Sequence, residues 1–360
     1  MICHGFTVLI PQTRRAGNSG MSSIGVLGAG TWGMALARML ANSGHDVAVW
    51  SALGYEIDDL SATRKHPKLP GVAFPESIAF TKDISDLCSG KEVIILAVPS
   101  PFIRATAKQA LPFLNKDQIL VSVAKGIEKG THYTMTEIIS DELKNAPELD
   151  GIRIAALSGP THAEEVAIDM PTTIVSACDD PDAASKVQDI FSNTCMRVYR
   201  NPDIKGVELC GALKNIIALA SGILTGLGYG DNTKAALITR GLTEITRLGI
   251  AMGCREKTFY GLAGIGDLIV TATSVHSRNN TCGRYIGQGL PAEEAVKKVG
   301  MVVEGINAIP AAMQLKDAYN VELPIIEAVD SVINRGTKPS DAVMSLMLRD
   351  KKDEIGFDII

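Results

Sequence analysis

The segment that most constrains this chain is Gly28-Ala29-Gly30-Thr31-Trp32-Gly33. It follows a short apolar run, Ile24–Leu27, and precedes a helical stretch, Met34–Ser43, that closes near Gly44. A second apolar run, His45–Trp50, comes next. Three glycines at this spacing, after a strand and at the opening of a helix, suit a turn that passes a pyrophosphate. Gly28 permits the tight turn, Gly30 lets the backbone come close, and Gly33 allows helix and strand to pack. The helix N-terminus adds unpaired N–H groups and the positive end of its dipole. The folded part is therefore expected to begin with a dinucleotide-binding unit.

Further apolar runs at Glu92–Val98, Gln118–Val123, Arg153–Leu157 and Thr172–Ala177 alternate with helical stretches. That alternation predicts an α/β Rossmann unit, a doubly wound parallel sheet. After about Asp203 the character changes. Gly206–Leu227, Thr233–Met252, Pro291–Val299, Ile306–Lys316 and Pro324–Arg335 all read as helices, with Asp231 or Asn232 as a cap for the second, and no strand pattern returns. The expected organisation is a dinucleotide-binding domain over 22–203, an all-α domain over 204–350 and a tail over 351–360. Residues 1–21 read as a disordered extension: they lack the basic start and the cleavage site of a secretory signal, and Met21 stands just before the first strand.

Lys+Arg is 35 and Asp+Glu is 40, a net charge of −5. Such a chain has no global field for nucleic acid or an anionic membrane, so a phosphorylated ligand would need a local basic pocket. The seven cysteines are scattered without a CxxC pair, which points to a reducing, cytoplasmic setting and away from disulfides or zinc. Six scattered histidines suggest no metal. No apolar run is read as reaching the roughly 18 residues of a membrane span, so no membrane insertion is expected.

Two features bear on the cofactor. An acidic residue for the ribose is expected about 20 residues beyond the glycine loop. Val49-Trp50-Ser51-Ala52 offers neither Asp nor Glu there, and no Arg for a 2′-phosphate; Arg64 and Lys65 come later and read as a solvated loop or as that missing cation. The preference between NAD and NADP is thus open. Val98-Pro99-Ser100-Pro101 follows an apolar run, and a turn at that end of a parallel strand faces the ligand crevice.

Three segments could carry chemistry. Ser122-Val123-Ala124-Lys125-Gly126-Ile127-Glu128 puts Lys125 just past a strand end. In Gly211-Ala212-Leu213-Lys214-Asn215, Lys214 sits beside a helical stripe of Cys210, Leu213, Ile217, Ala220 and Leu224. It is either a lysine with its head in water or a buried ammonium whose pKa desolvation lowers into the catalytic range. Asp267, after the glycine-rich Gly261–Gly266, either caps a helix or orients a lysine. Ser277-Arg278-Asn279-Asn280 is either a surface loop or a phosphate clamp, since guanidinium matches phosphate oxygens bidentately.

Taken in order, GAGTWG, VAKGIE, SGPTHAEE, GALKNIIALASG, GLAGIGDL, the SRN segment and VVEG at Val302–Gly305 resemble the bacterial-type NAD(P)-dependent glycerol-3-phosphate dehydrogenase family, from about Ile24 to about Asp350. The resemblance implies a Rossmann domain followed by a helical domain like that of 6-phosphogluconate dehydrogenase. It implies hydride transfer between NAD(P)H and dihydroxyacetone phosphate, giving sn-glycerol 3-phosphate for phospholipid synthesis, and a homodimer. Carried over to this sequence, Lys214 matches the proton donor and acceptor, and Lys125 a lysine shared by cofactor and substrate. Gly159, Thr161, Asn215, Asp267, Ser277, Arg278 and Asn279 match substrate contacts. Gly28, Gly30, Thr31, Trp32, Gly33, Ala163, Val302 and Glu304 match cofactor positions, with Arg278 near the cofactor as well. Another dehydrogenase with this two-domain plan, acting on a hydroxy acid, and a nucleotide sensor that has lost its chemistry are the rival readings. GALKN paired with the SRN segment opposes the first; Lys125, Lys214 and Asp267 together oppose the second.

Overall fold

The computed structural model describes residues 20–351, 353 and 354. The extension expected over 1–21 falls outside them as far as residue 19, as does most of the tail expected over 351–360. Eight strands form one sheet in the order β3-β2-β1-β4-β5-β6-β7-β8. They are β1 (Ser23–Leu27), β2 (Asp46–Trp50), β3 (Ala79–Thr81), β4 (Val93–Leu96), β5 (Ile119–Ser122), β6 (Arg153–Ser158), β7 (Thr172–Ala177) and β8 (Met196–Asn201). β1, β4 and β5 are buried along their whole length apart from Ser23, as strands covered by helices on both faces must be. The chain order reverses between β1 and β4, which opens a crevice at their carboxyl ends, where ligands bind in doubly wound sheets.

One expectation needs correcting. The sheet is not wholly parallel, because β7 runs antiparallel to β6 and then pairs in parallel with β8. The link between β6 and β7, residues 159–171, holds only the one-turn helix Ala163–Val166.

Every regular element after β8 is helical. Asp203 starts this part: its carboxylate accepts the Gly206 N–H at 3.0 Å and caps helix Ile204–Gly226. The second long helix, Asp231–Ala251, is capped by Gly230, so Asp231 is its first residue and not the cap. Helix Ile204–Gly226 is largely apolar and is buried from Gly206 to Leu224, with Glu208, Lys214 and Asn215 among its buried residues. It is long and apolar enough to cross a membrane, contrary to the reading that no such run exists, but its whole span lies inside the domain. A helix buried on every face must be met on every face. Helices Asp267–Thr273, Arg278–Gly287 and Glu304–Ala318 pack around it.

The tightest of these contacts is a crossing of glycines. A Cβ on Gly283 would lie 2.0 Å from the Leu219 carbonyl, and one on Gly222 would lie 2.1 Å from the Asn280 carbonyl. The two helix backbones therefore touch, which sets the start of helix Arg278–Gly287 against the middle of Ile204–Gly226. Gly283→Ala is expected to lower stability by roughly 1–3 kcal/mol or more through overpacking, read as a lower melting temperature. An unchanged melting temperature would show that the helices can part at no cost.

Candidate active site

The glycine loop closes the carboxyl end of β1. Gly28 has φ +122°, and its N–H donates to the Trp50 carbonyl at 2.8 Å. A Cβ on Gly33 would lie 2.0 Å from the Gly28 carbonyl, so helix Thr31–Asn42 starts hard against the turn. Gly30 behaves differently: it is exposed, and a Cβ there would meet nothing within 4 Å. This helix has no side-chain cap and no acidic residue in its first turn. Its leading N–H groups therefore face open space beside Gly30, which suits a pyrophosphate. Thr31 and Trp32 open the helix and are half-buried.

Across the crevice lies the turn after β4. Ser100 donates to Glu304 through its hydroxyl at 2.7 Å and its N–H at 3.3 Å. Glu304 begins helix Glu304–Ala318, and burial pushes its carboxyl up from the ordinary value. Val302, just before it, is half-buried. The contact joins the sheet to the helical part.

Three charged groups expected from the sequence come together between the two parts. Lys214, on helix Ile204–Gly226, is 4% exposed and Asp267 only 1%, so the lysine with its head in water is excluded. Lys214 Nζ donates to Asp267 Oδ1 at 2.5 Å and also to Thr271 Oγ1. Lys125 Nζ donates to the other carboxylate oxygen, Asp267 Oδ2, at 2.6 Å and to the Gly159 carbonyl at 3.1 Å. Asp267 is the first residue of helix Asp267–Thr273, with Gly266 in the capping position, so its side chain serves the lysines and not the cap.

Electrostatics follow from this geometry. Burial drives the Lys214 ammonium down to about 7; Asp267 opposes that shift and the Lys125 charge reinforces it. Burial alone would raise the Asp267 carboxyl, but Lys125 and Lys214 together outweigh it and hold the group below its ordinary value. One carboxylate thus carries two cations, one of which loses its proton near neutrality.

The lysines are held from behind. Arg104 makes a two-pronged pair with Glu128, at 2.7 and 2.6 Å, and also binds Asp141 and Glu142, which fixes the loop that carries Lys125. The stem of Lys125 passes over Gly211, where a Cβ would lie 3.4 Å from it. Glu208, one turn before Gly211, accepts from Thr136 N at 3.0 Å and from its hydroxyl at 2.5 Å, a buried link between the two parts.

The remaining expected residues surround this cluster. Thr161 donates to the Gly159 carbonyl at 3.2 Å, and Ala163 begins the short helix that follows. Ser277 is the cap of helix Arg278–Gly287, with its hydroxyl accepting Asn280 N at 3.2 Å. The SRN segment is therefore a helix start and not a surface loop. Asn279 links Asn215 Oδ1 (2.9 Å) to Gly305 N (2.8 Å), so its side chain braces three helices. Arg278 is exposed and has no hydrogen bond or ion pair among the described residues.

Sequence reasoning missed two neighbours. Thr271 stands one turn after Asp267, a spacing that signals a shared helix face. Burial, with the nearby charges of both lysines, lowers the pKa of His162, and its buried Nε2 has no hydrogen-bond partner among the described residues. Among the described residues no group of His, Cys, Asp and Glu is placed to hold a metal ion.

A doubly wound sheet whose crevice meets an uncapped helix start on one side and a buried lysine–carboxylate cluster on the other defines a two-domain, dinucleotide-dependent dehydrogenase. Residues 23–184 match the N-terminal model of the NAD-dependent glycerol-3-phosphate dehydrogenases, and residues 203–344 match the C-terminal one. The chain belongs to that family. It is 62% identical over 335 residues to glycerol-3-phosphate dehydrogenase (NAD(P)+) 2 of Lactobacillus delbrueckii subsp. bulgaricus, covering 93% of this chain and 99% of that one. Identity to the glycerol-3-phosphate dehydrogenase (NAD(P)+) of Agathobacter rectalis is 50%, with 93% and 98% covered. The crystal structure of glycerol-3-phosphate dehydrogenase from Coxiella burnetii superposes with a TM-score of 0.86 at 34% identity, over 91% of this chain and 99% of that one.

Asp267→Asn removes the partner of both lysines. Its stability deficit should be of the order of 3–5 kcal/mol, as for other broken buried pairs. Without the carboxylate, Lys214 loses its proton at lower pH than in the parent. Between pH 5 and 8, where Asp267 stays ionised, the deficit is therefore largest at the acid end and shrinks as pH rises through about 7. Melting curves from pH 5 to 8 test this; a deficit that grows with pH contradicts it.

Proposed function

We propose that this chain is an NAD(P)-dependent glycerol-3-phosphate dehydrogenase, interconverting dihydroxyacetone phosphate and sn-glycerol 3-phosphate. The observation that carries the reading is the Lys214–Asp267–Lys125 cluster at the carboxyl ends of β5 and β6, the sheet edge on which the glycine loop follows β1. Gly28, Gly30, Thr31, Trp32 and Gly33 would hold the dinucleotide pyrophosphate, with Lys125, Ala163, Arg278, Val302 and Glu304 along the rest of the molecule. When bound, the dinucleotide supplies or accepts the hydride at C2 of the substrate.

The residues of this chain handle the proton and the phosphate. In reduction, Lys214 gives its proton to the C2 oxygen as negative charge develops there; in oxidation it takes the proton back. Lys125 adds positive charge at the same oxygen. Asp267 keeps both ammonium groups aimed and compensated. Arg278, exposed and unpaired at the start of its helix, is free to take the phosphate together with the leading N–H groups. The side chains of Ser277 and Asn279 have partners of their own and support this role by shaping the helix start, while Gly159, Thr161 and Asn215 line the floor. Phosphate binding remote from C2 then positions the carbonyl. The same reading includes a boundary near Asp203, a homodimer, a cytoplasmic location and supply of glycerol 3-phosphate to phospholipid synthesis.

Purified protein should oxidise reduced cofactor with dihydroxyacetone phosphate and poorly with dihydroxyacetone; equal rates with both ketones remove the phosphate role of Arg278. Lys214→Met should lower turnover by about 10² to 10⁴-fold, the usual worth of a general acid, with dinucleotide affinity unchanged. The pH dependence has a definite sign. Reduction needs protonated Lys214, so its kcat/KM falls as pH rises through about 7, whereas that of oxidation falls as pH drops through about 7. Limbs of the same sense in both directions would take the proton away from Lys214.

A further inference from the structure

The ribose end of the dinucleotide had no partner in the sequence, since residues 49–52 contain no acid. The fold supplies one from further along. β2 ends at Trp50, whose carbonyl accepts the Gly28 N–H, so the next residue stands beside the first glycine of the loop. That residue, Ser51, is buried. Its hydroxyl donates to Glu56 Oε2 at 2.6 Å and accepts from Leu53 N at 3.2 Å. The chain thus doubles back after β2, and the first turn of helix Gly54–Thr63 delivers a carboxylate to the strand end. Glu56 is half-buried, and its Oε1 has no hydrogen bond among the described residues. On the far side the His66 ring stands near enough to Glu56 to feel its charge, although burial is what chiefly lowers the His66 pKa.

Two of the cations nearest this strand end, Arg64 and Lys82, are engaged elsewhere. Arg64, the expected candidate, donates to the Ile78 carbonyl at 2.7 Å and the Pro75 carbonyl at 3.3 Å, and lies over the Phe80 ring. Lys82 is paired with Asp58 at 2.6 Å. Lys65 and Lys68 are exposed on the loop beyond. A carboxylate at the end of β2 accepts from a ribose 2′-hydroxyl and repels a 2′-phosphate.

We propose that Glu56, anchored by Ser51, reads the adenosine ribose as a free diol and makes NADH the preferred dinucleotide of this chain. The proposal rests on the dehydrogenase reading above, and its test separates the two. The probes are NADH and NADPH, titrated against the full-length protein without substrate. Binding is followed by quenching of Trp32 and Trp50, the chain's two tryptophans, one in the loop and one at the end of β2. NADH should bind about tenfold tighter or more, the scale of one charge-assisted hydrogen bond set against a like-charge contact. Glu56→Gln should narrow the ratio by strengthening NADPH binding. Ser51→Ala, which frees the carboxylate, should narrow it too. Lys65→Ala and Lys68→Ala should leave it unchanged. Equal or tighter NADPH binding overturns the proposal, as does a ratio untouched by Glu56→Gln, or an NADPH affinity that falls in either lysine variant. If neither dinucleotide binds, the dehydrogenase reading fails and this proposal with it.

Discussion

Two lysines meet one aspartate at a point where Lys214 and Asp267 are almost fully buried and Lys125 is partly exposed, and the rest of the site is arranged around that fact. A buried ammonium is costly unless paired. Asp267 offers one oxygen to Lys214 and the other to Lys125, and so makes both tenable. The sharing is unequal in effect. Lys214 is the more deeply buried, so desolvation acts on it most strongly and brings its proton within reach of neutral pH. A lysine fully paired with its own carboxylate would hold its proton too tightly to pass it on. A lysine with no carboxylate would have lost its proton before neutral pH is reached. The arrangement lies between these limits.

Such a cluster has to be held from both sides. Lys125 comes from the sheet, Lys214 and Asp267 from the helices. Glu208 with Thr136, and Glu304 with Ser100, tie the two parts together on either side of the crevice. Within the helical part the glycine crossing removes the usual side-chain spacing between helices Ile204–Gly226 and Arg278–Gly287. That close approach lets Asn279 reach Asn215, next to Lys214, and brings the start of the second helix to the site. Packing of glycines far from the chemistry thereby sets where Arg278 stands.

How much of this the residues announced depends on how each element is stabilised. β1, β2 and β4 to β7 are apolar runs and could be read directly. β3 is three residues long and β8 alternates as Met-Arg-Val-Tyr-Arg-Asn, so neither forms such a run. That β7 runs antiparallel to β6 is not visible in the apolar run that marks it as a strand. Helix Arg278–Gly287 went unread because it packs through its backbone; its sequence, RNNTCGRYIG, has almost no apolar stripe. Lys125, Lys214 and Asp267 were visible as charged residues in unusual settings, but only the fold shows that one carboxylate serves both lysines. Glu56 was hidden for a related reason: Ser51 bends the chain back, so the acid stands at the strand end while lying further along the sequence than the motif predicts.

The account turns on Lys214 sharing Asp267 and titrating near neutrality. That proton can be watched directly by NMR on protein carrying isotope-labelled lysine, with the Lys214 signal assigned by its loss in Lys214→Met. The signal should titrate near 7 in the free protein, well apart from the exposed lysines, and should move to lower pH in Asp267→Asn. A Lys214 signal that titrates with the exposed lysines near 10.5, and does not respond to Asp267→Asn, would contradict the account.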